Sequence, residues 1–332
     1  MSQWINPFQL RNKGILGMNR RNVSYISRYN DRRQYPLVDN KLTTKQVAEE
    51  AGLAVPKLIK VVHTQHDIEW VQQALVDMDE FVAKPAQGSG GKGILVVTGQ
   101  VGDAYQKASG ELVSLAEVKR HLTNTLSGLH SLGGRNDVAF FEELVKVSPY
   151  FDQFSHEGVP DIRLITFKGF PVMGMLRLAT KSSDGKANLH QGAIGVGLDI
   201  GTGKAIRAVQ NNQLVTHHPD TGADLEDIAV PNWHELLLLA AHCYEVTDLG
   251  YLGCDIVIDR HRGPLILELN ARPGLSIQIA NDSGLLPRLT HVENINTRRM
   301  RIEDKVDYSR EHFSLQIRDT QLPLEHIKEQ TS

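Results

Sequence analysis

The segment Gly253-Cys-Asp255, followed by Leu265-Ile-Leu-Glu268-Leu-Asn270-Ala-Arg272-Pro-Gly274, limits what this chain can fold into more than any other stretch. Side chains alternate faces along a strand, so Glu268 and Asn270 share one face while Leu267 and Leu269 face a core. The turn-forming run Asp259-Arg-His-Arg-Gly263-Pro264 predicts a hairpin folding back between His261 and Arg262, which sets Asp255 opposite Glu268. Oxygen donors with no Cys or His nearby suit a hard divalent cation such as Mg²⁺ or Mn²⁺, above all one shared with substrate phosphates. An ordinary half-buried hairpin with polar residues facing water shows the same alternation, so the hairpin alone does not make a metal site.

A second segment upstream, Phe81-Val-Ala-Lys84-Pro85-Ala-Gln-Gly88-Ser89-Gly90-Gly91-Lys92-Gly93-Ile94 to Thr98, reads as strand, glycine-rich turn, strand. Glycines let backbone N–H groups approach phosphate oxygens without Cβ interference, which makes the turn a candidate phosphate lid. Its spacing satisfies G-x-G-x-x-G, but a dinucleotide-binding turn opens a helix, and here a β-branched run follows. A Walker loop fails too, because Gly93 follows Lys92 where Ser or Thr is required and Ala86 holds the place of the first glycine. A protein kinase would place its lysine after the glycine loop and carry H-R-D and D-F-G downstream, and neither motif occurs.

The order lysine, glycine turn, distant acid–amide strand resembles the ATP-grasp superfamily, and within it the carboxylate–amine ligases related to ribosomal protein S6 glutamate ligase. The resemblance runs from about Asp39 to about Gly284. It implies an α+β fold in which two α+β subdomains clamp ATP. Asp39-Asn-Lys41 and the helix from Thr43 to Ala51 match the opening segment, and Lys84 with Gly88, Ser89, Gly90, Gly91, Lys92 and Gly93 matches the phosphate strand and lid. Phe141-Glu142-Glu143-Leu144-Val145 matches the hinge that reads adenine, with either glutamate as the contact and Leu144 supplying backbone groups. Asp255, Glu268 and Asn270 match the metal triad, which implies ATP with Mg²⁺ or Mn²⁺, two ions in all.

Physical reasons stand beside these matches. Lys41 and Lys84 flank a helix-and-strand unit, and two ammonium groups offset triphosphate charge. Asp161-Ile-Arg163 lies in one predicted strand and Arg177 ends the next, and guanidinium forks bind carboxylate or phosphate in bidentate fashion. The resemblance assigns both arginines, with Arg272, to the acyl phosphate and the amino acid; the structural alternative is a cross-strand pair with Asp161 or Asp184. Asn188-Leu-His190-Gln-Gly192-Ala193 resembles the substrate loop, with Ala193 where the family has a second glycine. His190 is there either a general base or a hydrogen-bond partner.

The subdivision expected is a basic segment 1–40, a lid subdomain 41–145, a catalytic subdomain 146–290 and a charged extension 291–332. The segment before Lys41 replaces the full α/β domain that the S6-type ligases carry there. Its Arg11, Lys13, Arg20, Arg21 and Arg28 read as a solvated surface arm rather than a transit peptide, because Pro7, Gly14 and Gly17 interrupt any amphipathic helix. Thr43 with Gln46 is the expected cap of the first helix. Net charge −3 over 332 residues argues against nucleic acid as partner, and no apolar run is long enough to span a bilayer. Only Cys243 and Cys254 are present, which excludes a disulfide framework or zinc cluster and fits a cytoplasmic location. The expected activity is ATP-dependent amide formation through an acyl phosphate, adding glutamate to a peptide, protein or small-molecule carboxylate, with homo-oligomerisation left open. The alternatives are a phosphotransferase on the same site and a nucleotide-binding regulatory module without turnover.

Overall fold

The computed structural model describes residues 7–75, 78–88, 90–131, 133–297 and 299–315. The chain divides into two compact units, Pro36–Lys146 and a larger one made of the chain through Tyr35 together with Val147 onward.

The smaller unit is a six-stranded antiparallel sheet formed by β1 (Leu58–Val62), β2 (Phe81–Pro85), β3 (Leu95–Val101), β4 (Ala104–Lys107), β5 (Leu112–Ser114) and β6 (Ala139–Glu142), in the order β1-β6-β2-β3-β4-β5. Phe81 is its hub, meeting Phe141 and Tyr105 edge-on at 5.3 Å each above Val118 and Leu122 of helix α2 (Leu115–Leu126). Ser114 and Glu117 close the start of α2 with a reciprocal capping box. Helix α1 (Lys41–Glu50) is capped not by Thr43 but by Asn40, whose carboxamide oxygen accepts from Leu42 N at 3.0 Å and Thr43 N at 3.1 Å. A carboxamide two to three residues ahead of the first orphan amides outcompetes a threonine already inside the helix.

The larger unit is a seven-stranded antiparallel sheet of β7 (Asp161–Phe167), β8 (Phe170–Leu178), β9 (Ile194–Leu198), β10 (Ala205–Gln210), β11 (Gln213–Val215), β12 (Tyr251–Asp259) and β13 (Gly263–Asn270), ordered β11-β10-β9-β8-β7-β12-β13. Helix α3 (Trp233–Thr247) covers one face with Trp233, Leu236, Leu237, Ala240 and Ala241, and Cys254 of β12 lies against the Ala240 carbonyl. Residue alternation then turns Asp255 to the opposite face. On the sheet also lie the short helix α4 (Ile277–Ala280), α5 (Leu286–Asn294) and α6 (Ile302–Phe313). Helix α4 approaches β9 so closely that a Cβ on Gly197 would sit 2.3 Å from the Ala280 carbonyl oxygen.

From Leu16 to Asn30 the basic segment is anchored by buried residues and not a solvated arm, contrary to the expectation from its charge. Leu16, Tyr25 and Ile26 are buried, and the buried Asn30 bridges two backbones. Its carboxamide donates to the carbonyls of Tyr251 at 2.8 Å and Ala271 at 3.2 Å, while its oxygen accepts from Tyr251 N at 2.8 Å. Gln278 does the same for Leu16, and Arg21 donates to the Pro273 carbonyl at 2.8 Å. The basic segment therefore braces the loop that leaves β13. Truncating Asn30 to Ala strands buried backbone groups, and we expect a loss of about 2–4 kcal/mol in urea unfolding. A change under about 0.5 kcal/mol would show that solvent replaces these bonds without cost. The extension after 291 is likewise integral as far as described, with Ile302, Val306 and Phe313 of α6 buried.

Candidate functional site

The smaller unit gathers basic side chains around one carboxylate. Glu142 closes β6 and is buried; on the same sheet face Lys84 of β2 makes an ion pair with it, and Lys45 of α1 reaches it at 2.8 Å. Burial pushes the Glu142 carboxyl up, but Lys84 and Lys45 outweigh that and hold it below the usual range. Lys45 is also bound to the Pro56 carbonyl, and burial pushes its own pKa down. Lys41 stands one turn earlier on α1, at its first position, where its backbone N–H donates to Ala86 O at 2.8 Å. The helix start is thereby pinned to the end of β2, which carries Lys84. Lys45 was missed in the sequence, although its i,i+4 spacing from Lys41 puts both on one helix face.

The glycine turn leaves β2 over a second buried acid. Asp137 accepts from Gln87 N at 3.0 Å, Val138 N at 2.8 Å and Ser131 Oγ at 2.5 Å, and Gly88 bridges to Ser131. Gly90, Gly91 and Gly93 all have positive φ. A Cβ at Gly93 would also meet the His130 ring at 2.5 Å, so this glycine is required twice over. His121, neutralised in tendency by burial, donates from Nε2 to the Gly93 carbonyl at 3.0 Å. Lys92 is exposed at the tip, and Ser89 lies outside the described residues.

The expected strand Val138 to Val145 is shorter, ending at Glu142. Glu143, Leu144 and Val145 continue as irregular chain, with Glu143 exposed and its N–H given to Lys57 O at 3.0 Å. The two glutamates thus differ: one is buried among lysines, the other sits on the outgoing chain.

In the larger unit the hairpin has the expected register at its functional end, reached by a different route. The turn is Arg260-His261-Arg262, with Asp259 opposite Gly263, and a bulge at Leu267 shifts the pairing so that Asp255 meets Glu268 and Gly253 meets Asn270. The bulge leaves Leu267 half-buried instead of in the core, while Leu269 is buried. Asn270 Oδ1 accepts from Arg272 N at 2.9 Å, turning the chain at the strand end and leaving the Arg272 side chain over Tyr35 at 5.0 Å.

Two like charges directly opposite on a buried sheet face are unfavourable unless cations intervene. Arg163 stands opposite Asp255 on β7 and forks onto it, Nε to Oδ1 at 2.7 Å and Nη2 to Oδ2 at 2.5 Å. Arg177, opposite Asp161 on β8, forks onto Asp161 and reaches Asp255 Oδ2 at 2.9 Å. The cross-strand alternative therefore holds for Arg177, with Asp161 and not Asp184 as partner. Burial pushes Asp255 up, yet Arg177 and Arg163 outweigh it and bring it down to about 2. Asp161 shares Arg177 and, with burial dominant, is pushed up to about 6. Asp255 is consequently an ionised carboxylate whose Oδ1, with one donor among the described residues, keeps a lone pair available. The register places it on the same face of the hairpin as Glu268 and the Asn270 carboxamide, three oxygen-bearing side chains of the kind a hard divalent cation prefers.

Asn188 and His190 sit together in the loop before β9. Asn188 Oδ1 accepts from His190 N at 3.0 Å, so the side chain caps its own turn, and His190 is exposed. The Gly192 carbonyl accepts from Thr180 Oγ1 at 3.0 Å and Gln210 Nε2 at 2.8 Å, which fixes the loop against β10.

Two antiparallel α+β units, one with a lysine and glycine turn and one ending in an acid–x–amide strand, define the ATP-grasp fold. The profile of the sugar-transfer associated ATP-grasp family matches residues 20–294, and the chain belongs to that family. No curated protein matches it. Among solved structures it is similar to the ATP-grasp ligase PsnB complexed with minimal precursor, at 14% identity and TM-score 0.45, over 85% of this chain and 63% of that one. It is also similar to D-alanine–D-alanine ligase from Bacillus anthracis complexed with ATP, at 14% identity and TM-score 0.42, over 86% of this chain and 70% of that one. D-cycloserine synthetase DcsG matches at 16% identity and TM-score 0.42, over 78% and 70% respectively. The chain thus spans less than two thirds of the PsnB chain it matches. Among the described residues no helix is long and apolar enough to cross a membrane.

Proposed function

We propose that the protein is an ATP-dependent ligase that joins a carboxylate to an amine through an acyl phosphate. The observation that carries this reading is the Asp255–Glu268 opposition with Asn270 two residues on, next to two guanidinium groups on the adjoining strands. Asp255, Glu268 and Asn270 would hold Mg²⁺ or Mn²⁺, in the number of two ions. Bound there, the metal offsets charge on the transferring phosphoryl group. Lys41, Lys84 and the glycine turn, including Lys92, bind the ATP phosphates. Lys45 and Glu142 keep Lys84 in position, which leaves the adenine edge to Glu143 and to backbone groups of Leu144 and Val145.

The substrate carboxylate attacks the γ-phosphorus and ADP departs; the amine then attacks the acyl carbon and phosphate departs. Arg163 and Arg177 stabilise the anionic oxygens of both steps, and Arg272 orients a carboxylate at the strand end. Asn188 positions the reacting group, and His190 accepts the amine proton or hydrogen-bonds the substrate. By its resemblance to the S6-type ligases, L-glutamate is the first amine to test, and the family's association with sugar transfer adds glycosylated carboxylates to peptides as acceptors.

The test is phosphate release from ATP with Mg²⁺, measured with a panel of carboxylates in the presence and absence of amino acids. A ligase needs both substrates. Stoichiometric ADP formation with a phosphorylated product and no amine requirement would replace this reading with a phosphotransferase, and absence of turnover under every combination would leave a regulatory nucleotide module.

A further inference from the structure

A cavity of about 440 Å³ opens in the larger unit between the loop of Leu189 and His190, the hairpin turn Asn211-Asn212 that joins β10 to β11, and Ser276 and Ile279 at α4. Its size falls within that of small-molecule sites. The walls are tied together, because Gln210, the last residue before the turn, donates to the Gly192 carbonyl at 2.8 Å. The loop before β9 and the end of β10 are thereby held together.

Its chemistry is neutral. Leu189, Val209 and Ile279 give apolar surface, and the polar groups are the carboxamides of Asn211 and Asn212, the Ser276 hydroxyl and the His190 imidazole. Among the described residues no Lys, Arg, Asp or Glu lines it. The cation on the same strand, Arg207, pairs through Nη1 with Asp282 at 3.1 Å, which also takes Lys13 at 2.7 Å, and its Nε is buried away from the cavity. A carboxylate entering here would lose hydration without gaining a cation, whereas hydroxyl groups find donors and acceptors in equal supply. Asn211 and Asn212 have φ of 52 and 61, a two-residue turn that glycine would serve as well.

We propose that this cavity takes a neutral, hydroxyl-rich group of a substrate, of the glycosyl or polyol kind, and not an acidic amino acid. Calling the occupant a substrate rests on the ligase reading; the binding chemistry does not. Polar hydroxyls meet the carboxamides and Ser276, while the C–H face lies on Leu189 and Ile279.

Saturation-transfer NMR on the full chain, without nucleotide, tests this with methyl β-D-glucopyranoside and L-glutamate as probes. The glycoside should receive saturation, and its affinity should fall about tenfold in the Asn211→Gly/Asn212→Gly variant, which keeps the left-handed turn and removes only the carboxamides. Ile279→Arg, at a half-exposed position on the rim, should block the glycoside independently and serves if the double variant does not fold. L-Glutamate signals should be the same in all variants. No transfer to the glycoside, glycoside binding that survives both substitutions, or glutamate binding that they abolish would each overturn the proposal. Glycoside binding in a chain that turns over no ATP would defeat the ligase reading and leave the cavity assignment standing.

Discussion

Replacing Glu268 with Ala should lower Mg²⁺-dependent ADP formation by about 10³-fold or more while leaving the fold intact, a loss of about 4 kcal/mol of transition-state stabilisation. The expectation follows from the register that sets Glu268 opposite Asp255 at the end of the hairpin. A hard cation held there needs both carboxylates, and the Asn270 carboxamide alone cannot replace the lost charge. Stability should change less than for a fully buried carboxylate, because Glu268 is half-buried at the end of the hairpin. Asp255→Ala provides the contrast. It removes the same activity but also leaves the Arg163 and Arg177 guanidinium groups without their shared carboxylate, so it should cost about 3–5 kcal/mol in unfolding as well. Steady-state ADP formation and urea melts on both variants separate the two roles. Turnover within tenfold of wild type in Glu268→Ala would remove the metal assignment.

How far the sequence carried this site depends on how local each signal is. Strand alternation and turn chemistry placed Asp255 against Glu268, because a hairpin is a short-range object whose register its turn largely sets. Even there the turn is one residue off and the Leu267 bulge compensates, a correction that periodicity cannot foresee. The Asp161-x-Arg163 pair was legible as two charges on one strand face, but the sharing of Arg177 between Asp161 and Asp255 arises from the order β8-β7-β12, which brings together residues 78 apart in the chain. The N-terminal segment misled for a related reason. Its charges are local and visible, whereas the contacts of Asn30, Arg21 and Leu16 with 271–278 lie more than 200 residues away. Polar residues that bond backbone carry no periodic signature. Lys45 was passed over in the same way, because its partner Glu142 lies far along the chain on β6.

That partner gives the second large effect. Glu142→Ala should destabilise the smaller unit by about 3–5 kcal/mol, because it strands the Lys45 ammonium, whose side chain is 6% exposed, beside a second ammonium on Lys84. The pair is costly to break though not especially stabilising to own, so Glu142→Ala combined with Lys45→Met should recover much of the loss, a coupling that a double-mutant cycle reads directly. The pH dependence has a definite sign. The folded carboxyl lies below its ordinary 4.5, so the contribution of Glu142 is complete above that value and is lost as the pH falls through the lowered folded value; Glu142→Gln should flatten the acid limb of the stability profile. Nucleotide affinity supplies the other half of the argument. If Glu142 acts by holding Lys84, then Glu142→Gln weakens binding of ADP and of inorganic triphosphate alike, since the phosphate side is what is disturbed. If it reads adenine, ADP weakens and triphosphate does not, and stability stays within about 1 kcal/mol of wild type. The burial of Glu142 and the exposure of Glu143 on the chain beyond it favour the first outcome, with the base contacts left to the backbone of the segment that follows.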